Sequence, residues 1–397
     1  MMVEHPIGVL AILLAVLGGL FAAGGTARGK KLFSFVPLLV FAYFVPTLLS
    51  NLGVIPLDSP LYTFVKKWLL PASLVLLTLA IDLKAIRGLG GKALTMFLTG
   101  TLSIALGGPL VYLALGWLAP EQLGDQSWKG LAALAGSWIG GGANFVAIGE
   151  SVGAHDDTIA MMVVVDVAIA SVWMAFLLAF AGRQEAMDEA IGADASSIDE
   201  LRGKVEAFQA AIKRPTDKAS LLTMLAIAFG ATAIAASLSK VLPEVGSIIS
   251  GFTWIILIVT TIGIACSFTP LRRLEGAGAS EMGSVFLYLL VATIGAKADF
   301  AKVLDIPGLV VIGGAWMGLH AAAMMLVRRR IQAPIFFAAV GSQANVGGAA
   351  SAPIVAGAFH PALAPVGVVL AVAGYALGTY AGLLCAWLLE MAHGVWF

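Results

Sequence analysis

The sequence predicts an all-α membrane protein of two inverted repeats, each with five transmembrane helices and a Gly-rich segment that is either a re-entrant hairpin or a broken helix. Three observations predict it. Of the 397 residues, 60% are hydrophobic and only 12% charged, with mean hydropathy +0.97, whereas soluble domains are about half apolar and about a quarter charged. A Gly-rich stretch occurs twice, as Gly136-Ser137-Trp138-Ile139-Gly140-Gly141-Gly142-Ala143-Asn144-Phe145 and as Gly341-Ser342-Gln343-Ala344-Asn345-Val346-Gly347-Gly348-Ala349-Ala350-Ser351. An apolar segment upstream of each copy recurs as well, Leu76-Leu77-Thr78-Leu79-Ala80-Ile81-Asp82-Leu83-Lys84-Ala85 resembling Leu289-Leu290-Val291-Ala292-Thr293-Ile294-Gly295-Ala296-Lys297-Ala298.

A spanning helix needs about 20 apolar residues. On that rule the first repeat, 1-182, has spans near 6-24, 33-52, 66-83, 93-118 and 157-182. The second, 219-397, has them near 219-241, 246-268, 281-298, 306-327 and 362-390. The first span follows Glu4 and His5 and not a basic start, so it reads as a span and not as a cleaved signal. Between the repeats lies the polar linker 183-218, where Ser197-Ile198-Asp199-Glu200 fits a capping box and Ile198, Leu201, Val205, Phe208 and Ile212 form one apolar stripe. That stripe predicts an amphipathic helix along the cytoplasmic face. Cys266 and Cys385 fall in apolar runs and read as small core residues, with no disulfide framework or metal cluster.

The Gly-rich segments 129-150 and 333-356 remain. Consecutive glycines weaken a helix, and broken backbone at membrane depth persists only when buried in protein or lining a cavity. Short cytoplasmic loops are rich in Lys and Arg. If both segments dip in and return, Arg28/Lys30/Lys31, Lys84/Arg87/Lys92, Arg272/Arg273 and Arg328/Arg329/Arg330 all face the cytoplasm with the linker, and both termini face outside. Lys66/Lys67 fit that arrangement less well, and helices that break while still crossing are the alternative. In the re-entrant arrangement the halves are inverted copies whose breaks meet near the midplane of the cell membrane, an architecture of secondary transporters.

Broken ends expose N–H groups suited to an anionic or polar solute and carbonyls suited to a cation. The candidate solute-binding residues are Ser137, Gly141, Gly142, Asn144, Ser342, Gln343, Asn345, Gly347 and Gly348, with His320, a lone imidazole in an apolar span. Asn144, Asn345, Ser351 and Asp166 are the candidate ligands for a sodium ion. Asp166 enters because an intramembrane carboxylate is costly unless paired, and it equally suits a coupling proton. Close packing of small residues is the bland account of the glycines, and a hydrogen-bonded structural carboxylate that of Asp166. There is no intramembrane aspartyl signature, zinc-protease motif or phosphate-binding loop, so an enzyme is not expected, no cofactor beyond the coupling ion is implied, and any pumping must draw on an ion gradient. Zero net charge without a polybasic run gives no footprint for nucleic acid.

The length and the two stretches at 136–145 and 341–351 resemble the membrane proteins of domain-of-unknown-function family 819. More distantly, two inverted halves with Gly-Gly re-entrant loops are similar to the glutamate/sodium and citrate/sodium symporters. That resemblance implies an elevator-type, dimeric transporter, with sodium and an organic anion held at the hairpin tips near Gly141, Gly142, Asn144, Gly347 and Gly348. The chain departs from those symporters in having no evident Arg in the second-half core to bind a carboxylate. The expected function is a sodium-coupled secondary transporter of a small polar solute. A proton/cation antiporter, which normally has paired core acids, and a channel or solute sensor are the alternatives.

Overall fold

In lipid a backbone must bond to itself, and in the computed structural model the apolar runs are helices. The structure describes residues 3–35, 38–81, 83–194, 198, 215–246, 249–297, 307–360 and 363–397. The first half contains α1 (Pro6–Gly24), α2 (Leu38–Asn51), α3 (Pro60–Leu79), α4 (Gly91–Leu115), α5 (Gln126–Ser151) and α6 (Asp156–Ala181). The second contains α7 (Lys218–Leu238), α8 (Gly251–Ser267), α9 (Ala279–Lys297), α10 (Pro307–Arg330), the short pair α11 (Ile335–Val346) and α12 (Gly348–Phe359), and α13 (Ala364–His393). Every expected span carries a helix. Among the described residues nine helices are long and apolar enough to cross a membrane, ten if α8 and the turn Pro270–Ala277, bent by 96°, count as one. The stripe of the linker helix lies outside the described residues except for Ile198, as do Asp82 and Ala298 of the recurring apolar segment.

Length alone would pass α5 as a span, but its geometry is that of a hairpin. Gly141 sits at φ 73°, ψ −173°, a region open only to glycine, and there the chain reverses. The reversal packs Gly136 against the backbone of Asn144, and a Cβ on Gly149 would meet Ala133 Cβ at 3.2 Å. At the open end the Gln126 side chain accepts hydrogen bonds from the His155 N–H at 2.8 Å and the Thr158 hydroxyl at 3.0 Å. The pair α11–α12 folds back in the same way, turning at Gly347 and Gly348, the latter at φ 60°. Its ends close edge to face, Phe336 on Phe359, with ring centroids 5.5 Å apart.

The two hairpins point at each other. The open end of hairpin 1 lies by the first turn of α6, where Asp156 meets Lys297. The open end of hairpin 2 lies beyond the far end of α6, where Asp188 binds Arg328 and accepts from the Ile335 N–H at 2.7 Å. With 26 residues, α6 spans about 39 Å between them at about 1.5 Å per residue. The tips meet backbone to backbone, a Cβ on Gly141 coming within 3.6 Å of Gly348 Cα.

Packing divides the helices into two groups. The helices α1, α2 and α3 pack with α7, α8 and α9, while α4, hairpin 1 and α6 pack with α10, hairpin 2 and α13. Each half therefore gives its first three helices to one group and the rest to the other. Because the backbone at Gly141 holds a conformation that strains any side chain, Gly141→Ala should lower stability by about 1–3 kcal/mol. Gly230, in a helix with open space around it, should gain about 0.5–1 kcal/mol on Gly230→Ala. Unfolding of the purified variants in detergent measures both, and equal effects would remove the hairpin turn from the account.

Candidate functional site

Both hairpins hang on α6. Asp166, in its middle, accepts from the Ser137 hydroxyl at 2.6 Å and from the Trp138 indole N–H at 2.7 Å. Seven residues on, two turns along the same face, Trp173 donates its indole N–H to Ser342 Oγ at 2.8 Å. The serines of the two Gly-Ser copies thus reach the same helix from opposite ends. Trp138 also packs edge to face on Trp316 at 5.1 Å, and Trp316 donates to the Ile104 carbonyl at 3.1 Å, tying α4 and α10 to the Asp166 cluster.

His320 is fully buried between Ser103, 2.8 Å from Nδ1, and Ser342, 2.7 Å from Nε2. The donors fix its tautomer. The Ser103 hydroxyl donates to the Gly100 carbonyl at 2.9 Å, so its oxygen takes the proton of Nδ1. A neutral ring with its proton on Nδ1 leaves Nε2 an acceptor, and the Ser342 hydroxyl, which accepts from Trp173, donates to it. A neutral imidazole with its proton on Nδ1 satisfies every group in this chain, and His320 acts as a clamp joining α4, α10 and hairpin 2.

The two asparagines occupy equivalent sockets. Asn144 donates to the Gly140 carbonyl at 3.1 Å and the Tyr375 carbonyl at 2.9 Å, and accepts from the Thr379 hydroxyl at 2.8 Å. Asn345 donates to the Gly341 carbonyl at 2.8 Å and the Phe97 carbonyl at 3.0 Å, and accepts from the Thr101 hydroxyl at 2.7 Å. In each socket the amide bonds the glycine carbonyl four residues back and a carbonyl and threonine of a facing helix, α13 or α4. A glycine on that helix makes room, since a Cβ at Gly378 or Gly100 would lie 2.6 or 2.7 Å from the amide nitrogen.

Beside the tip of hairpin 1 a narrow cleft of about 40 Å³ opens between the two groups of helices. Ser137, Gly142, Asp166 and Val163 line it from the hairpin side, and Tyr43, Val291 and Ile294 from the other. Tyr43 is 2% exposed, and its hydroxyl has no hydrogen-bond partner. A larger cavity of about 240 Å³ shares Ile294 with the cleft and is lined by Lys66, Lys67, Lys297 and Asp156. A π-helical turn at Val65–Leu69 presents the first two lysines. Lys66 pairs with Glu150 at 2.6 Å and Lys297 with Asp156 at 2.6 Å. Each pair joins a lysine of one helix group to a carboxylate of the other.

Of the residues singled out from sequence, Ser137, Gly142 and Asp166 come together in the cleft, with Gly141 and Gly348 at the tip junction. Ser342 and His320 form the buried clamp. Gln343 donates to Ser351 Oγ at 2.7 Å beside Gly347, and its own carbonyl oxygen is buried without a partner. The four candidate sodium ligands Asn144, Asn345, Ser351 and Asp166 hold separate sets of partners. Among the described residues no three His, Cys, Asp or Glu side chains cluster as metal ligands. Sequence reasoning passed over Tyr43, Trp173, Thr101 and Thr379. The threonines had a signal, Phe97-x-x-Gly100-Thr101 repeated as Tyr375-x-x-Gly378-Thr379; Tyr43 had none.

The socket geometry predicts coupling. Asn144→Ala removes three hydrogen bonds, to the Gly140 and Tyr375 carbonyls and from the Thr379 hydroxyl, which keeps Thr260 and the Tyr375 carbonyl within reach, at about 0.5–1.5 kcal/mol per bond. A double-mutant cycle of Asn144→Ala with Thr379→Val should show non-additivity of about 0.5–3 kcal/mol, and strict additivity would mean that the two side chains do not meet.

Comparison with known proteins identifies the family of the chain. An uncharacterized membrane protein of Bacillus subtilis (strain 168), YjcL, is 24% identical over 359 residues, covering 84% of this chain and 85% of that one. The sequence profile of DUF819, described as a protein of unknown function, matches residues 11–392. The chain is thus a multi-pass membrane protein, and it belongs to the DUF819 family.

Proposed function

We propose that this protein is an ion-coupled secondary transporter of a small polar solute, whose halves are inverted repeats and whose hairpin group slides against the other helices to expose the Asp166 cleft to each face in turn. The observation that carries the reading is the pair of opposed hairpins, joined at Gly141 and Gly348 and set in one group of helices. A span that only crosses has no use for two reversals of chain at membrane depth. Reversals survive there when buried in protein or lining a cavity, and the cleft lies beside one of them.

The boundary between the groups supports the sliding step. Both ion pairs, Lys66 with Glu150 and Lys297 with Asp156, cross it at the mouth of hairpin 1. They are partly exposed, Lys66 at 35% and Asp156 at 28%, so each contributes about 1 kcal/mol or less. Such a latch holds one arrangement without preventing the other. Sodium or a proton supplies the drive.

Access to the cleft is the test, and it needs no knowledge of the solute. In a chain carrying Cys266→Ser, Cys385→Ala and Val163→Cys, a membrane-impermeant maleimide is applied to right-side-out and inverted vesicles. Labelling is expected from either side, in proportions that shift with sodium and pH. Lys66→Gln with Lys297→Gln should move access toward the face where hairpin 2 opens. Labelling from one side only under every condition sinks the transporter reading, and full labelling from both sides at once indicates a channel.

A further inference from the structure

The cavity at the mouth of hairpin 1 divides its charge unevenly between the two groups of helices. Three lysines line it from one group, Lys66 and Lys67 on α3 and Lys297 at the end of α9. Among the described residues its one lining carboxylate is Asp156, which comes from the other group at the start of α6. Consecutive residues of an α-helix point about 100° apart. Here both Lys66 and Lys67 reach the cavity, from the π-helical turn Val65–Leu69, a departure that recurs at functional sites.

The two ion pairs show what this lysine wall binds. Lys66 holds the Glu150 carboxylate and Lys297 the Asp156 carboxylate, each at 2.6 Å, so the wall already seats two carboxylates at once, both supplied by the hairpin group. Lys67 is exposed and lies 4.9 Å from the centroid of the Trp68 ring, and it pairs with no carboxylate among the described residues. Asp58 acts on Lys297 from outside the lining. The wall by itself therefore sets three ammonium groups against one carboxylate, and Glu150 and Asp156 supply the balance.

A slide of the hairpin group carries Glu150 and Asp156 away and leaves that surplus uncompensated in a cavity between helices. Each pair is partly exposed and favours the latched arrangement about fivefold at most, so a free anion can compete with it. Carboxylates held by ammonium groups make the stronger, charge-assisted kind of hydrogen bond. About 240 Å³ lies below the usual range of pockets for drug-sized ligands and suits an anion of few heavy atoms.

We infer that this cavity is an anion site. It takes a small dianion, two carboxylates on one short chain, whose ends replace Glu150 on Lys66 and Asp156 on Lys297 with Lys67 as a third contact. Because the anion binds the wall best when the acids have left, its binding draws the protein toward the unlatched arrangement. The inference rests on the sliding reading for this release, while binding is tested by itself.

Succinate, succinamate and succinamide have the same length and carry two, one and no charges. Each is titrated into the full-length chain in non-ionic detergent at constant ionic strength, with binding read by calorimetry and by the shift in unfolding temperature. Succinate is expected to bind most tightly, succinamate about tenfold more weakly and succinamide not at all. Lys67→Gln should lower succinate affinity about fivefold and leave the unfolding temperature of the unliganded chain unchanged. Glu150→Gln with Asp156→Asn should raise succinate affinity several-fold, because the competing carboxylates are gone, a gain that a merely structural role of the ion pairs would not produce. In the Val163→Cys chain, succinate should move labelling toward the face where hairpin 2 opens.

Succinate that binds no more tightly than succinamide overturns the proposal, as does an affinity unchanged by Lys67→Gln or lowered by the paired acid variant. Succinate that binds without moving the labelling overturns the release of the latch. Labelling at Val163→Cys that still alternates with sodium and pH while succinate fails to bind leaves the transporter reading standing and this inference fallen.

Discussion

The constraint on which the molecule depends is that a peptide group in lipid cannot be left unbonded. Reversing the chain at Gly141 and at Gly347–Gly348 frees such groups in the middle of apolar segments. Beside each turn stands an asparagine, Asn144 or Asn345, whose side chain carries the same donor and acceptor as the backbone. Each bonds a carbonyl of its own hairpin and then a carbonyl and a threonine on a neighbouring helix. The amides therefore tie hairpin 1 to α13 and hairpin 2 to α4, with glycine at 378 and 100 for clearance. Each hairpin is thereby held within its own group of helices.

Hydropathy made the spans legible, because burial in lipid is written in composition, and the doubled Gly-Ser stretch marked where the chain turns. Residue type alone left the role of the amides open, since an asparagine that meets a solute and one that braces the backbone look identical along the chain. Only a facing helix tells them apart. Asp166 announced itself through its cost, and its partners proved to be the serine and tryptophan of the nearer stretch. Lys66, which sat awkwardly in the charge pattern, is accommodated by a π-helical turn and the Glu150 carboxylate. Tyr43 was invisible, one hydroxyl in a run of aromatic and aliphatic residues whose meaning depends on what lies across the cleft.

Bonding inside the hairpin group differs in kind from bonding at its edge. Within it, buried neutral groups are linked in series: Trp173, Ser342, His320, Ser103 and the Gly100 carbonyl form one directional run of donors. Such a run has a single best geometry, because turning one hydroxyl leaves its neighbour unmatched. At the edge the polar contacts are two partly exposed ion pairs and threonine contacts such as Thr260 with Thr379 and Thr261 with Tyr380. The exposed groups among these can exchange partners with water. The group is internally stiff and loosely held, which suits a body that moves as a unit.

The meeting of the two tips has a mechanical consequence. Gly141 and Gly348 face each other so closely that a Cβ on either would lie within 3.6 Å of the other's Cα, and no side chain of either interlocks with the other. Such a contact resists compression and offers almost nothing against separation. Either hairpin can draw back toward its own face, but neither can advance past the other. The junction is a bumper, and it sets the greatest depth that each hairpin reaches from its side.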